Sequence, residues 1–326
     1  MPSAQQIKAL VESHLDDDDE RFYTLALQVA AQEARQGHVR VAAELKALVD
    51  RARGKTRAGR RAVDPIPVVQ PRGDLAGLLH VSYPKQRLSD MVLADSTRAR
   101  LERIVQEHRE QHRLREYGLL PRRKILLLGP PGTGKTMTGA SLAGELHLPL
   151  FSTLLDGIIT RYLGETAVKL RLVFDGIEQT AGVYFFDEFD AIGGQRMAGN
   201  DVGEIRRVLN SFLQFLENDE SESLILAATN HPELLDRALF RRFDDVIHYH
   251  LPEPERALQS MRNCLALFDT SKVDWSEAVK AAAGLSFADT ARACENAAKE
   301  AILAGDGSID TNTLVRLLAE RRHERA

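Results

Sequence analysis

Two hydrophobic periods divide the chain. Near the N-terminus, apolar residues recur at three- and four-residue spacing. Phe22, Leu25, Val29 and Ala30 form one run, and Val41, Leu45, Leu48 and Val49 the next. That spacing gathers each set on one stripe of a helix. With a first short helix over Ile7–Leu15, residues 1–54 read as a small all-helical bundle. From about Leu93 the pattern changes. "STRARLERIVQEHREQHRL" is a charged amphipathic helix, and short continuous apolar runs come after it. "KILLLG", "PLFST", "VYFFD" and "LILAATN" read as strands; "KTMTGASLAGEL", Thr166–Gln179 and "GEIRRVLNSFLQFLEN" read as the helices between them. Apolar strands alternating with helices predict an α/β domain with a mostly parallel sheet covered on both faces. After "VIHYHLPEPE" the pattern is helical to the end. The expected division is a helical bundle over 1–54, a linker over 55–90, an α/β domain over 91–250 and a helical lobe over 251–326.

The linker rests on composition. "RARGKTRAGRRAVDPIPVVQPRG", 51–73, is first basic and then proline-rich. Six of the eleven residues from Arg51 to Arg61 are Lys or Arg. No aromatics interleave them, so a solvated tether is expected over a nucleic-acid contact. The acidic run Asp16–Glu20 suits the positive end of the helix after it. Its carboxylates are consecutive where a calcium loop needs them spaced.

Composition narrows the class. Of 326 residues, 44% are hydrophobic and 28% charged, an ordinary globular balance. The net charge of −4 argues against a nucleic-acid partner. Two cysteines, Cys264 and Cys294, are too few for a disulfide framework and fit a reducing cytoplasm. No signal peptide and no apolar run of membrane-spanning length is present, so no membrane partner is expected.

"GPPGTGKT" comes after a strand and opens a helix, the context that the G-x-x-x-x-G-K-[ST] phosphate loop requires. Across Gly129, Pro130, Pro131, Gly132, Thr133 and Gly134, the glycines let backbone N–H groups converge on an anion. Lys135, Thr136 and Met137 open the helix, whose N-terminal dipole adds positive potential. Lys135 is expected on the β- and γ-phosphates, and the Thr136 hydroxyl on Mg²⁺. In "VYFFDEFD", two adjacent carboxylates end a buried strand, and adjacent carboxylates repel unless something compensates them. Beside a phosphate loop the pair makes sense. Asp187 holds Mg²⁺, directly or through water, and Glu188 takes a proton from the water that attacks the γ-phosphate. ATP and Mg²⁺ are the expected ligands.

These motifs resemble those of the AAA+ ATPases, within them the AAA subgroup of protein remodellers, over roughly 93–303. The resemblance implies a P-loop NTPase sheet with a C-terminal helical lid, here preceded by the small all-α domain. It gives Asn230, at the tip of "LILAATN", a hydrogen bond to the attacking water or the γ-phosphate; the same residue could cap the next helix. "LLDRALFRRFDD" resembles the region whose arginines reach a neighbouring subunit's ATP. Arg241 and Arg242 are the candidates, and which of them acts in trans stays open. A surface pair with Asp244 or Asp245 is the plain alternative. "GLSFADTARACENAAKEAI" looks like the start of the subgroup's lid, with Gly284, Ser286, Ala288 and Asp289 matching and Phe287 where a small residue is usual.

For purpose, "TRYLGE" carries most. In ring-forming relatives a loop here puts an aromatic–hydrophobic–glycine trio into a central pore, and Tyr162, Leu163 and Gly164 match it. An aromatic side chain can grip any polypeptide without reading its sequence. "GGQRMAGNDVGE" is a weaker candidate for a second such loop. The resemblance therefore implies a homo-hexameric ring that hydrolyses ATP to remodel or thread a protein client. The N-terminal domain would recruit client or adaptor, and any partner protease would be a separate chain. A loader- or initiator-type nucleic-acid ATPase is the alternative, and a non-cycling scaffold a third. His108, Glu110 and His112 do not spell a zinc motif. His248 and His250 alternate near a sheet edge.

Overall fold

Three of the six strands of the main sheet have scarcely a polar side chain, because both of their faces are covered. The computed structural model describes residues 71, 73–154, 158, 163–189, 202–235, 237–305 and 307–323, and Ala26 in a helix. The chain divides into two compact units, Met1–Ile66 and Pro67–Ala326. The N-terminal helices, Asp16–Glu20, Arg51–Arg61, Tyr162 and residues 193–201 lie outside the described residues, apart from Ala26.

In the second unit the order is β1 (Leu79–Ser82), α1 (Asp95–Arg109), α2 (Gln111–Glu116), β2 (Lys124–Leu128), α3 (Lys135–Leu146) and β3 (Leu150–Thr153). Then come α4 (Leu163–Gln179), β4 (Val183–Phe186), α5 (Val202–Asn218), β5 (Leu224–Thr229), α6 (Arg237–Phe240) and β6 (Asp245–His248). The sheet runs β1-β3-β4-β5-β2-β6. All neighbours are parallel except β1, which lies antiparallel along β3 with Leu79 opposite Thr153. Strand alternation sorts the core into two layers. Leu126, Leu128, Tyr184, Phe186, Ile225 and Ala227 face Phe174 of α4 and Phe212 of α5. Ile125, Leu127, Val183, Phe185, Leu224 and Leu226 face Leu101 and Ile104 of α1 and Leu142 of α3.

The expected linker, 55–90, is corrected over its second half. Residues 73–77 form a 3-10 turn, Leu79–Ser82 form the edge strand, and Leu88–Asp90 form a second turn. Their polar composition hides a strand that exists only because β3 offers it an edge. The helix expected over 96–114 breaks at Glu110 into α1 and α2.

The helical lobe is α7 (Pro254–Cys264), β7 (Asp269–Lys272), α8 (Trp275–Ala282), α9 (Phe287–Ala304), β8 (Ser308–Asp310) and α10 (Thr311–His323). It has its own core, with Met261, Ala278, Cys294, Ala297, Leu314 and Leu318 buried together. The two-stranded ribbon β7–β8 was not expected. Among the described residues no helix is long and apolar enough to cross a membrane.

Candidate functional site

A cleft of about 560 Å³ lies where β2, β4 and β5 end and the lobe begins. Pro131–Met137 form its floor, Asp187, Glu188 and Asn230 one side, and α7 and α9 the other. The floor is a loop that only glycine allows. Gly132 has φ 75°, and a β-carbon there would meet Ser286 Oγ at 2.4 Å. Gly129 has φ 148°, and its β-carbon would meet the Tyr249 carbonyl oxygen at 2.2 Å. Among the described residues no backbone acceptor takes the amide hydrogens of Gly132, Thr133 or Gly134. Those donors and the N-terminus of α3 make an anion cradle. Lys135 is nearly buried, and its Nζ donates to the carbonyls of Gly129 and Pro130 at 2.8 Å each. The ammonium is thereby fixed against the loop.

The acid pair is aimed by its neighbour Phe189. That residue is fully buried, with its ring centroid 4.7 Å from that of Phe212, and its N–H donates to the Ala228 carbonyl at 2.8 Å. Anchoring Phe189 forces a sharp turn after β4. Glu188 takes it up in the left-handed region, with φ 50°, which non-glycine residues seldom adopt. The turn sends an exposed carboxylate into the cleft. Asp187 Oδ1 accepts from the Glu188 N–H at 2.9 Å, and Asp187 Oδ2 accepts from Thr136 Oγ1 at 2.9 Å. Asp187 and Thr136 thus present adjoining hard oxygen donors, the set that suits Mg²⁺. Asn230 stands half-buried at the end of β5. The turn after it, Pro232–Leu234, takes His231 as its cap residue.

The lobe closes over the floor. Ser286 and Asp289 form a capping box at the start of α9, with Ser286 Oγ accepting from the Asp289 N–H at 3.2 Å. The neighbouring donor, the Ala288 N–H, bonds the Gly132 carbonyl at 3.1 Å. The phosphate loop and the lid helix are therefore hydrogen-bonded to each other. Phe287, at the position that departs from the usual pattern, lines the cleft. Behind the floor, Tyr249 Oη and Thr138 Oγ1 lie 2.6 Å apart, and burial pushes the Tyr249 phenol up to about 12.

Arg241 and Arg242 are exposed, and neither lines the cleft of its own chain. Arg242 pairs with Glu217 at the end of α5. The partners expected from sequence are engaged elsewhere. Asp244 accepts from the Arg123 and Lys124 N–H groups, and Asp245 pairs with Arg100 and Arg122. Leu163 and Gly164 open α4 instead of lying in a loop. His108, Glu110 and His112 do not converge. His108 Nε2 meets the Glu222 carbonyl, Glu110 pairs with Arg113, and His112 with Glu116. Sequence reading missed Asp90, Met91 and Val92, which wall the cleft, and Ser260, Asn263 and Cys264, which face it from α7. No motif marks them, because they meet the cleft only after folding.

Comparison with known proteins agrees with this geometry. The model of the ATPase family associated with various cellular activities (AAA) matches residues 125–251, a span that holds the phosphate loop, the acid pair and both arginines. An uncharacterized AAA family ATPase, y4kL of Sinorhizobium fredii, is 33% identical over 329 residues, covering 100% of this chain and 97% of that protein. The ATP-dependent zinc metalloprotease FtsH of Helicobacter pylori is 33% identical over 243 residues, 72% of this chain and 38% of FtsH. The crystal structure of the FIGL-1 AAA domain is similar with TM-score 0.60 and 25% identity, covering 80% of this chain and 92% of that one. A nucleotide cleft floored by a phosphate loop, in a chain related end to end to an AAA ATPase, has one reading: this chain belongs to the AAA family of ATPases and is an ATP hydrolase.

Proposed function

We propose that this ATPase works as a ring of identical copies, a homo-hexamer, in which ATP hydrolysis drives the remodelling or threading of a protein client. The observation that carries the reading is the division of charge around the cleft. Lys135, Asp187 and Glu188 face it, while Arg241 and Arg242 stand on the surface outside it. A cleft with an acid pair and, among the described residues, no arginine in its lining is one that a neighbour can complete by lending one. Exposed apolar side chains at Tyr117, Leu119 and Leu120, 82%, 57% and 72% exposed, support a surface that another copy covers.

In this reading the triphosphate lies on Gly129–Thr136. Lys135 and the loop amides hold its β- and γ-phosphates, and Thr136 and Asp187 hold Mg²⁺. A bound Mg²⁺ supplies neutralisation of phosphate charge. Glu188 accepts a proton from the attacking water at its carboxylate, and Asn230 orients that water by a hydrogen bond. A neighbour's Arg241 or Arg242 stabilises the charge that develops on the γ-phosphate. Tyr162, next in sequence before Leu163 and Gly164 at the start of α4, grips the client, and the N-terminal unit recruits it or an adaptor. Kinship with FtsH, itself a protease, supports a client handed to a separate protease partner.

The test is Glu188→Gln. Hydrolysis should fall by about 10²- to 10⁴-fold while nucleotide binding persists, as removal of a general base predicts. Affinity capture with this variant should then hold the client in a stalled complex. Unchanged turnover removes Glu188 as the base. Client processing that survives Tyr162→Ala, with ATPase intact, ends the threading reading.

A further inference from the structure

The cleft wall that carries Asp90, Met91 and Val92 has almost no secondary structure of its own. It is one 3-10 turn, Leu88–Asp90, and an extended continuation through Met91. Side chains from three helices hold it. Arg98 of α1 spans it with a guanidinium fork, Nη1 donating to the Leu88 carbonyl at 3.1 Å and Nη2 to the Met91 carbonyl at 2.7 Å. Glu145, in the last turn of α3, accepts from the Leu88 N–H at 3.3 Å and pairs with Arg87 at 3.5 Å and Arg109 at 2.9 Å. Arg256, in the first turn of the lid helix α7, donates to the Leu93 carbonyl and pairs with Asp95 at 3.1 Å. Val92 therefore sits between two pinned carbonyls. One pin comes from the sheet-bearing body and the other from the lid.

We propose that Arg98 and Arg256 are positioning residues for the ATPase reaction. Together they clamp Leu88–Leu93 at the height where Asp90–Val92 meet the nucleotide, and Arg256 makes that height depend on the attitude of the lid. The inference rests on the nucleotide occupying this cleft. Its physical basis is population. A strap of six residues that is not held samples many positions, and apparent affinity falls by the fraction of time spent in the competent one. Charge-assisted bonds to carbonyls are strong enough to set that fraction. Neither arginine lines the cleft, and the hydrogen bonds of Lys135 to the Gly129 and Pro130 carbonyls, and of Asp187 to Thr136 Oγ1 and the Glu188 N–H, lie outside the strap. The clamp therefore acts on affinity and leaves the chemical step alone.

The experiment uses the full chain, ATP titrations of hydrolysis and binding of a fluorescent ADP. In Arg98→Met and in Arg256→Met, KM for ATP and Kd for ADP should each rise about tenfold, with kcat at saturation within about twofold, the scale of one lost charge-assisted hydrogen bond. Arg98→Lys can reach only one of the two carbonyls and should recover part of the loss. The double variant should lose less than the product of the single losses, because both arginines hold one strap. Lower Tm and kcat with KM and Kd unchanged would mark both arginines as simple fold contacts and overturn the clamp. Lys135→Ala separates the clamp from the nucleotide site it serves. Nucleotide affinity that survives this change sinks the cleft reading and the clamp with it. Affinity that depends on Lys135 but ignores both arginine variants sinks the clamp alone.

Discussion

Glu188 holds a left-handed backbone because Phe189, beside it, is fully buried against Phe212. The acid pair is plain in the sequence, but the anchor that aims it is not, since Phe212 lies on a helix more than twenty residues further on. Gly132 is the same kind of residue. Its need for glycine is legible from the loop motif, while the contact with Ser286 Oγ, from a helix over 150 residues away, is a tertiary fact. Gly132→Ala should destabilise the fold by about 1–2 kcal/mol from the left-handed backbone alone. It should also push the lid off the loop. Denaturant melts and nucleotide titration would read both, and unchanged nucleotide affinity would contradict the close approach. At Arg241 and Arg242 the sequence offers Asp244 and Asp245 as neighbours, yet Arg242 pairs with Glu217. Sequence proximity is a poor guide to ion pairs between exposed ends of different elements.

At the scale of elements, the strands of the main sheet were readable wherever both faces are apolar. β4 is buried along its whole length, and so is β5. β1 was not readable. "LHVS" has only one fully buried residue, and its strand geometry comes from pairing with β3. The start of α9 was readable as a motif, and the structure gives the motif two tasks. Ser286 and Asp289 cap the helix, and the Ala288 N–H ties it to Gly132. Ser286→Ala should cost about 1 kcal/mol of stability, as loss of an N-cap does. It should also weaken nucleotide binding, which calorimetry can measure. A second element-level prediction concerns the join of α5 and β5. Arg123 pairs with Asp219 at 2.8 Å, both side chains nearly buried, and also donates to the Asp219 carbonyl. Asp219→Ala leaves a buried cation without its partner and should destabilise by about 3–5 kcal/mol in chemical denaturation.

For the whole molecule, the proposed completion of the cleft by a neighbouring copy predicts that specific ATPase activity falls on dilution, as copies separate. Light scattering recorded beside the assay would show whether assembly and turnover fall together; constant activity in monomers removes the shared site. Alkaline pH probes the other long-range property, the buried core. Burial pushes the Tyr249 phenol and the Cys294 thiol each up to about 12, and raises the Tyr184 phenol as well. In the unfolded chain these groups ionise near their ordinary values, about 8.5 for Cys and 10 for Tyr. The folded state binds their protons more tightly, so their contribution is complete below about pH 8.5 and is lost as pH rises toward 12. Urea midpoints should decline across that window, and Tyr249→Phe should flatten the part above pH 10.

By itself the amino-acid order determined the kind of machine. The α/β alternation, the phosphate loop and the acid pair are local patterns, written in residues a few positions apart, and local sterics and hydrogen bonding suffice to specify them. Tertiary structure alone decided which side chains wall the cleft, which glycine supports the lid, which acid holds Arg242, and that Leu79–Ser82 is a strand. Each of these depends on groups brought together from distant parts of the chain, and such contacts form only once burial has fixed the elements against one another.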